Sequence, residues 1–382
     1  MPIYLDNAAT SFPKPETVYA AIDHYNRIVG APGGRGAYGA ATECQATLNR
    51  CRKQVSDLLG VGSPDHVVMT FNCTDSLNTV LHGLLQPGDH VVTTQIEHNS
   101  ILRPLQQLKS AGVETTIVEV GDDHLIDPSA IRNALRPGTR LVATLHASNV
   151  TGTIQPIADI GQIAQDHGAL MLVDAAQTAG QYPIDMRNVP VDFLAAAGHK
   201  SLLGPLGTGV LCIREGAEEQ LRSFRQGGTG SASESDVQPA VLPDRFESGN
   251  LNMPGIYGLA AGLDFIAETG LQEIVSRKQR LTSRLVEGLA SINGVTVFGS
   301  PEVNAAAVVS FTIDGFEPQD AATILDQSFD IQCRAGLHCA PGAHQAIGTR
   351  DSGGTVRFGA GFFTTEDDID AALEAVKQLA SA

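Results

Sequence analysis

From about residue 66 to residue 214 the chain repeats one pattern. A short apolar run rich in Val, Leu and Thr is followed by a segment whose apolar residues recur at spacings of three and four. That alternation is the signature of a parallel sheet covered by helices. The expected strands are HVVMTF, HVVTTQ, VETTIVEV, RLVATLH, ALMLVDA, VDFLAAA and GTGVLCI. Helices are expected over 75–85, 99–110 and 157–167, and Pro128 and Pro156 stand where helices start. The expected fold is therefore α/β, with a large doubly wound, mostly parallel sheet.

Past this block the rhythm breaks. Residues 223–252 are dense in Gly, Ser and Asp with little periodicity and are expected to form a long functional loop. The run from GLAAGLDFIAET to GLASI reads as one long or broken helix. A smaller α+β unit follows, with strands VTVF, AAVVSFTI, DIQCRAG and TVRFGA and helices near 318–328 and 365–380. A chain of 382 residues exceeds what one core usually supports. The expected division is a large domain over 16–260 and a small one made of 1–15 and 261–382.

Several function classes drop out on charge and patterning. With a net charge of -17 and no Lys/Arg cluster, the chain has no electrostatic footprint for a phosphate backbone, so nucleic acid is not an expected partner. No stretch approaches the 18 to 20 apolar residues of a membrane span, and the opening MPIYLDNAATSFPKP lacks a leader pattern. A cytoplasmic protein without membrane contact is expected. Cys44, Cys51, Cys73, Cys212, Cys333 and Cys339 form no C-x-x-C pair, which argues for reduced thiols. Cys44, Cys51 and Cys212 read as small buried hydrophobes.

Ligands of open α/β sheets bind outside the carboxyl ends of the strands. The residues that follow the expected strands should therefore meet in one crevice: Thr74, His98, Asn149, Asp174, Gln177, His199 and Lys200. Each has a plainer reading alone, since Thr74 and Asp75 could cap a helix, His98 could be a satisfied surface histidine, and a lone lysine is usually exposed. Together they match the needs of an aldehyde cofactor with a pyridine ring and a phosphate. Lys200, between an apolar strand and a Gly/Pro turn, can condense with the aldehyde. Asp174, ending ALMLVD, can keep the ring nitrogen protonated so that the ring accepts electron density. Cys73, Thr74 and Asp75, just before a helix expected to begin near Ser76, can offer backbone donors to the phosphate. His98 can stack on the ring, and Asn149 and Gln177 can bond its oxygen.

Lys200 in AAGHKSLLGPLGTGVL, Asp174 and Gln177 in VDAAQ, His98 in EHNSI, Asn149 in SNVTGT and the opening YLDNAAT carry a resemblance that runs essentially end to end. The chain resembles the class V aminotransferase superfamily, and more narrowly the group II cysteine desulfurases with their selenocysteine-lyase-like branch. The resemblance implies a fold type I transferase with pyridoxal 5'-phosphate on Lys200. It also implies that Cys73, Thr74, His98, Asn149, Asp174, Gln177, His199 and Asn250 surround the cofactor, with His98 joining Lys200 in catalysis. A cytoplasmic homodimer acting on L-cysteine or a similar small amino acid follows from the same likeness.

The block CRAGLHCAPGAHQAIGTRDSGGTVRFGAGFFTTEDDID bears on the branch. In the desulfurases it resembles, the cysteine of an R-x-G-x-x-C-A motif takes sulfur as a persulfide, and Cys339 stands there. Arg357 matches the arginine that clamps the substrate carboxylate, Arg334 matches the motif arginine, and Ala9 of the opening is assigned to the substrate side. The persulfide would pass to a sulfur-acceptor protein, with iron–sulfur cluster biogenesis as the implied setting. Gly336, Pro341 and Gly342 suggest an irregular exposed segment and so an accessible thiol. His338, Cys339 and His344 offer at most three ligands, with the adjacent pair pointing apart, so no metal is expected.

Selenocysteine lyase, a C–S β-lyase, a related aminotransferase or racemase, and a cofactor-loaded scaffold remain open as alternatives. The chain also departs from the pattern. Ala197 stands where a serine is common, Cys73 where a threonine is usual, and Asn250 where the other subunit usually donates a threonine hydroxyl to the phosphate. The loop GAPGGRGAYG, with Arg35, either borders the site entrance or is a plain surface loop.

Overall fold

The computed structural model describes residues 2–34, 36–299 and 306–381; Arg35 lies outside the described residues. The chain begins with a short strand, β1 (Ile3–Tyr4), and two helices, α1 (Glu16–His24) and α2 (Gly39–Leu59). Helix α2 buries Cys44, Leu48, Cys51, Val55 and Leu59, a stripe at helical spacing. It stops where Gly60 takes φ 69°, the left-handed conformation that ends many helices.

Next come β2 (Val67–Thr70), α3 (Cys73–Leu84), β3 (His90–Thr94), α4 (Asn99–Ser110), β4 (Glu114–Val118) and α5 (Pro128–Ala134). They are followed by β5 (Thr139–Leu145), α6 (Ile157–His167), β6 (Leu170–Asp174), β7 (Phe193–Ala197) and β8 (Gly209–Ile213). The seven strands form one sheet in the order β2-β8-β7-β6-β5-β3-β4. Strand β8 runs antiparallel to both β7 and β2, so two reversals bring β2 back into line with the parallel strands. The carboxyl ends of β2, β3, β5, β6 and β7 therefore share one edge. Strands β2, β3, β7 and β8 are buried along their whole length, which is why β7 and β8 read as unbroken apolar runs, while β2 and β3 also bury Thr70, His90, Thr93 and Thr94.

Residues 223–252 contain no helix or strand. Helix α7 (Met253–Thr269) is then separated from α8 (Leu271–Ala290) by Gly270 at φ 83°, so of the two expected forms, long or broken, the run takes the broken one. The remainder comprises β9 (Val295–Phe298), β10 (Val308–Ile313), α9 (Pro318–Phe329), β11 (Ile331–Gln332), β12 (Arg334–Gly336), α10 (Pro341–Ala346), β13 (Thr355–Gly359) and α11 (Glu366–Ala380). Strands β12-β13-β10-β9 form an antiparallel sheet, and β1 returns from the start of the chain to pair in parallel with β11. One apolar cluster joins Leu5 to Leu285, Phe311, Phe358 and Val376. Each such side chain stabilises the fold by about 1.5–3 kcal/mol when fully buried, enough to hold the first residues against the last helix. No helix among the described residues is long and apolar enough to cross a membrane.

Three local expectations need correction. Helix α3 begins at Cys73, not near Ser76, because Asn72 caps it by accepting the Asp75 N–H at 2.9 Å. The run DIQCRAG is two strands, since β1 pairs with Ile331 and Gln332 whereas β13 pairs with Arg334 to Gly336. The segment around Pro341 and Gly342 is not an irregular exposed stretch. Pro341 opens α10, Ala340, Ala343 and His344 are buried, and a Cβ on Gly342 would meet the Gln95 carbonyl oxygen at 2.0 Å.

Candidate active site

The strand ends enclose a cavity of about 220 Å³, well beyond the roughly 10–15 Å³ that holds one water. Its floor is the first turn of α3. The N–H groups of Cys73 and Thr74 belong to the helical positions that have no carbonyl partner within the helix, so they remain available to an anion. The Thr74 hydroxyl lies 2.7 Å from Ser100 Oγ, and that hydroxyl lies 2.8 Å from His98 Nδ1. His98 caps α4 by accepting the Ser100 N–H on Nδ1 at 3.1 Å. The neutral ring therefore carries its proton on Nε2. Burial lowers the His98 pKa, with Asp174 opposing that shift, which favours the neutral form.

Lys200 follows β7, and its backbone is fixed from the start of the chain. The His199 carbonyl accepts from Ser11 N at 3.1 Å, Thr10 Oγ1 at 3.0 Å and Lys14 Nζ at 2.7 Å, and Ser11 Oγ donates to the Lys200 carbonyl at 2.7 Å. The cavity leaves the Lys200 side chain partly open, yet enough protein surrounds it that burial lowers its pKa. Asp174 and Cys73 oppose that shift. A depressed amine is easier to find in the unprotonated form that attacks a carbonyl. His199 is pushed down to about 4 by burial and then by Lys200 and Lys14, so it adds no charge beside the lysine at neutral pH.

Asp174 is buried at the end of β6 and accepts the Ala176 N–H at 2.9 Å and the Cys73 thiol at 3.3 Å, both on Oδ1. Burial first, and then the Asp174 carboxylate, hold the Cys73 thiol well above its ordinary pKa, so Cys73 is a proton donor here and not a thiolate. Gln177 also faces the cavity while its Nε2 donates to the Ala8 carbonyl at 3.0 Å.

Glu97, which precedes His98, is fully buried. Its Oε1 accepts from Thr94 Oγ1 at 2.6 Å and the Leu145 N–H at 3.1 Å, tying the ends of β3 and β5 together. Burial pushes its carboxyl up to about 8. A carboxyl whose folded pKa exceeds its unfolded value stabilises the fold fully below the unfolded value, and that contribution is lost as pH rises through the folded one. Glu97→Gln cannot ionise. Relative to wild type its stability should therefore improve by at least about 1 kcal/mol between pH ~5 and pH ~8.5. Unfolding midpoints measured across that range check this, and a difference that stays flat with pH would contradict it.

The remaining wall comes from the C-terminal unit. Arg357 is almost completely buried on β13, where Nη2 donates to Asp6 Oδ1 at 2.9 Å and Nη1 to the Asn149 carbonyl at 3.2 Å. Its Nε has no partner among the described residues. Arg334 also lines the cavity, and its Nη2 lies 3.7 Å from Cys339 Sγ. Cys339 itself is partly exposed and lies beside the cavity wall. Its carbonyl accepts the Asn99 N–H at 2.8 Å, and Asn149 Nδ2 donates to the His338 carbonyl at 2.7 Å.

Of the residues expected from sequence, Ala9, Cys73, Thr74, His98, Asn149, Asp174, Gln177, His199, Lys200, Arg334 and Arg357 line one cavity. Asn250 does not. It lies in a separate cleft with Phe71, Arg225 and Glu247. Ala197 is in the wall without a hydroxyl, while Thr74 and Ser100 supply hydroxyls nearby. Ser100, Glu97 and His338 were missed as site residues. Ser100 had a visible signal, because EHNS places a hydroxyl two residues after the capping histidine.

The family model described as Aminotransferase class-V matches residues 3–372. The chain belongs to the class-V aminotransferase family. Among its relatives is a probable cysteine desulfurase of Methanothermobacter thermautotrophicus, 36% identical, with 99% of this chain and 94% of the relative covered. The apo structure of a cysteine desulfurase from Thermococcus onnurineus NA1 superposes with a TM-score of 0.91 at 34% identity, covering 100% of this chain and 95% of that one. The cysteine desulfurase CsdA of Escherichia coli, in an S-sulfonic acid form, superposes with a TM-score of 0.89 at 28% identity, covering 99% and 94%.

Class-V aminotransferases use pyridoxal 5'-phosphate, and the side chains of this member fit it. The α3 terminus offers uncommitted N–H groups for a phosphate, and Asp174 faces the cavity for a ring nitrogen. Asn149 Oδ1 and Arg357 Nε are buried and without partners among the described residues, as expected of polar groups that await a polar ligand. Lys200 is the lysine that lines the cavity among the described residues.

Proposed function

We propose that the chain is a pyridoxal-phosphate-dependent cysteine desulfurase that converts L-cysteine to L-alanine and carries the removed sulfur as a persulfide on Cys339. The observation that carries this reading is the anchoring of the Cys339 backbone to Asn99 and Asn149, from the segments that line the cavity with Lys200. The names of the relatives support it.

Pyridoxal phosphate, when bound, supplies an aldehyde that condenses with amines and a protonated ring that withdraws electrons from the substrate α carbon. The Arg357 guanidinium orients the substrate carboxylate, and Asp6 holds that guanidinium in place. Lys200 Nζ takes the α proton and returns it later, and the lowering of its pKa by burial favours the first of these steps. Asp174 keeps a proton on the ring nitrogen. His98, which lines the cavity and carries its proton on Nε2, would stack on the ring and could donate a proton there. Cys339 Sγ, as the thiolate, attacks the substrate sulfur. An S–S bond forms, the Cβ–S bond breaks with its electron pair left on carbon, and the carbon skeleton takes up protons and leaves as alanine. Arg334 Nη2 lies 3.7 Å from Cys339 Sγ.

The test is product analysis with cysteine and dithiothreitol. Equal amounts of alanine and sulfide are expected, whereas pyruvate and ammonia would point to β elimination and no turnover to a non-catalytic role. Asp174→Asn provides a second check. An amide can keep the Cys73 and Ala176 contacts on Oδ1 while its NH2 faces the ring nitrogen, so the cofactor should stay bound but activity should fall roughly a hundredfold. Cofactor absorbance and initial rates measure both effects, and activity within a few-fold of wild type would remove Asp174 from the mechanism.

The same reading includes a homodimer in which Asn250 serves the cavity of the other copy. It is supported by the placement of Asn250 in a cleft other than its own chain's cavity and by the exposure of Phe71 and Leu206. It divides the chain into a large domain over 16–260 and a small one over 1–15 and 261–382, supported by the Leu5 cluster, whose buried members all fall in the second set. A cytoplasmic location, a sulfur-acceptor protein and supply of iron–sulfur cluster biogenesis rest on the family resemblance.

A further inference from the structure

We propose that Asn149 is a positioning residue for Cys339, tying presentation of the thiol to the ring-oxygen side of the cofactor pocket. The inference rests on the reading of Cys339 as the sulfur-accepting thiol. His338 and Cys339 are consecutive non-glycine residues in the left-handed region, at φ 47° and 59°. Non-glycine residues persist there only where surrounding bonds impose the conformation. Two such bonds are visible, one on each carbonyl: Asn149 Nδ2 donates to His338 at 2.7 Å, and the Asn99 N–H donates to Cys339 at 2.8 Å. His338 is further held by its ring, with Nε2 3.1 Å from Thr355 Oγ1.

The Asn149 amide can face only one way. A flip would set Oδ1 against the His338 carbonyl, oxygen to oxygen, in a buried site. With Nδ2 committed to that carbonyl, its second N–H is the donor available to an acceptor in the cavity, and Oδ1 has no partner among the described residues. One nitrogen thus serves the pocket and the turn that presents the thiol. Removing the amide should free the His338 carbonyl, relax the left-handed pair and loosen Cys339, while leaving Cys333, on the far side of β12, as it was.

The experiment is alkylation of the full-length protein by iodoacetamide, with the rates at Cys339 and Cys333 read separately by peptide mass spectrometry. Wild type and Asn149→Ala are compared with and without pyridoxal phosphate, and cofactor content is checked by absorbance. The expected result is a rise of at least threefold at Cys339 in Asn149→Ala, in both the loaded and the stripped protein, with the rate at Cys333 unchanged. A rise shared equally by Cys333 would show general loosening and overturn the proposal, as would an unchanged rate at Cys339. Because alkylation needs no turnover, a chain that fails to form alanine would sink the desulfurase reading without touching this result.

Discussion

Lys200→Ala is expected to lower alanine formation at least a thousandfold, because the group that condenses with the aldehyde and the base that moves the α proton are lost together. The phosphate donors of α3 and the Asp174 carboxylate remain, so cofactor can still be held without a covalent bond. The visible band of lysine-bound cofactor should vanish on purification. Two neighbouring amines make this a real test. Lys14 and Lys278 both lie against the Lys200 turn, and burial lowers each to about 7. Lys14 Nζ is engaged by Ser11 and the His199 carbonyl, and Lys278 Nζ by Gln181, with Ser201 Oγ 3.4 Å away. Neither lines the cavity. An unchanged visible band in Lys200→Ala would move the attachment to another lysine.

Cys339→Ser separates the sulfur step from everything before it. In the proposed mechanism, binding of cysteine and movement of the α proton belong to Arg357, Asp174 and Lys200, so the variant should keep the lysine-bound band and the early spectral change when cysteine is added. Alanine formation should fall at least about a hundredfold, since a serine hydroxyl is not ionised near neutral pH and cannot replace a thiolate attacking sulfur. The anchored turn around Cys339 limits the reach of the thiol, so wild-type turnover should be slow alone and faster with a dithiol that resolves the persulfide. Selenium release from selenocysteine should be less affected, because the weaker C–Se bond depends less on a protein nucleophile. Wild-type rates of alanine formation in Cys339→Ser would end the desulfurase assignment in favour of a lyase.

The large sheet was legible because its inner strands are buried, which writes β6 and β7 as apolar runs leading to polar residues at the crevice, whereas β4 at the edge is largely exposed and shows as a β-branched run. Asp174 after LMLV and Lys200 after FLAAA are visible for that reason. What stayed hidden depends on partners far away in sequence. The split of DIQCRAG follows from β1 arriving from the first residues, and the packing of α10 from the close approach of Gly342 to Gln95. Pro341 and Gly342 read as loop residues, yet the proline opens a helix and the glycine permits contact. Glu97 acts by accepting the N–H of Leu145, forty-eight residues away in sequence, a bond that no local pattern announces. Asn250 reads as a site residue only through the resemblance, and within one chain it lies in another cleft.

The central claim is that sulfur leaves the substrate on Cys339. The protein is mixed with cysteine without reductant, quenched, and the Cys339 peptide is weighed while alanine and pyruvate are counted. One added sulfur on that peptide, matched by an equal amount of alanine, is the predicted result; pyruvate together with an unmodified Cys339 peptide would contradict it.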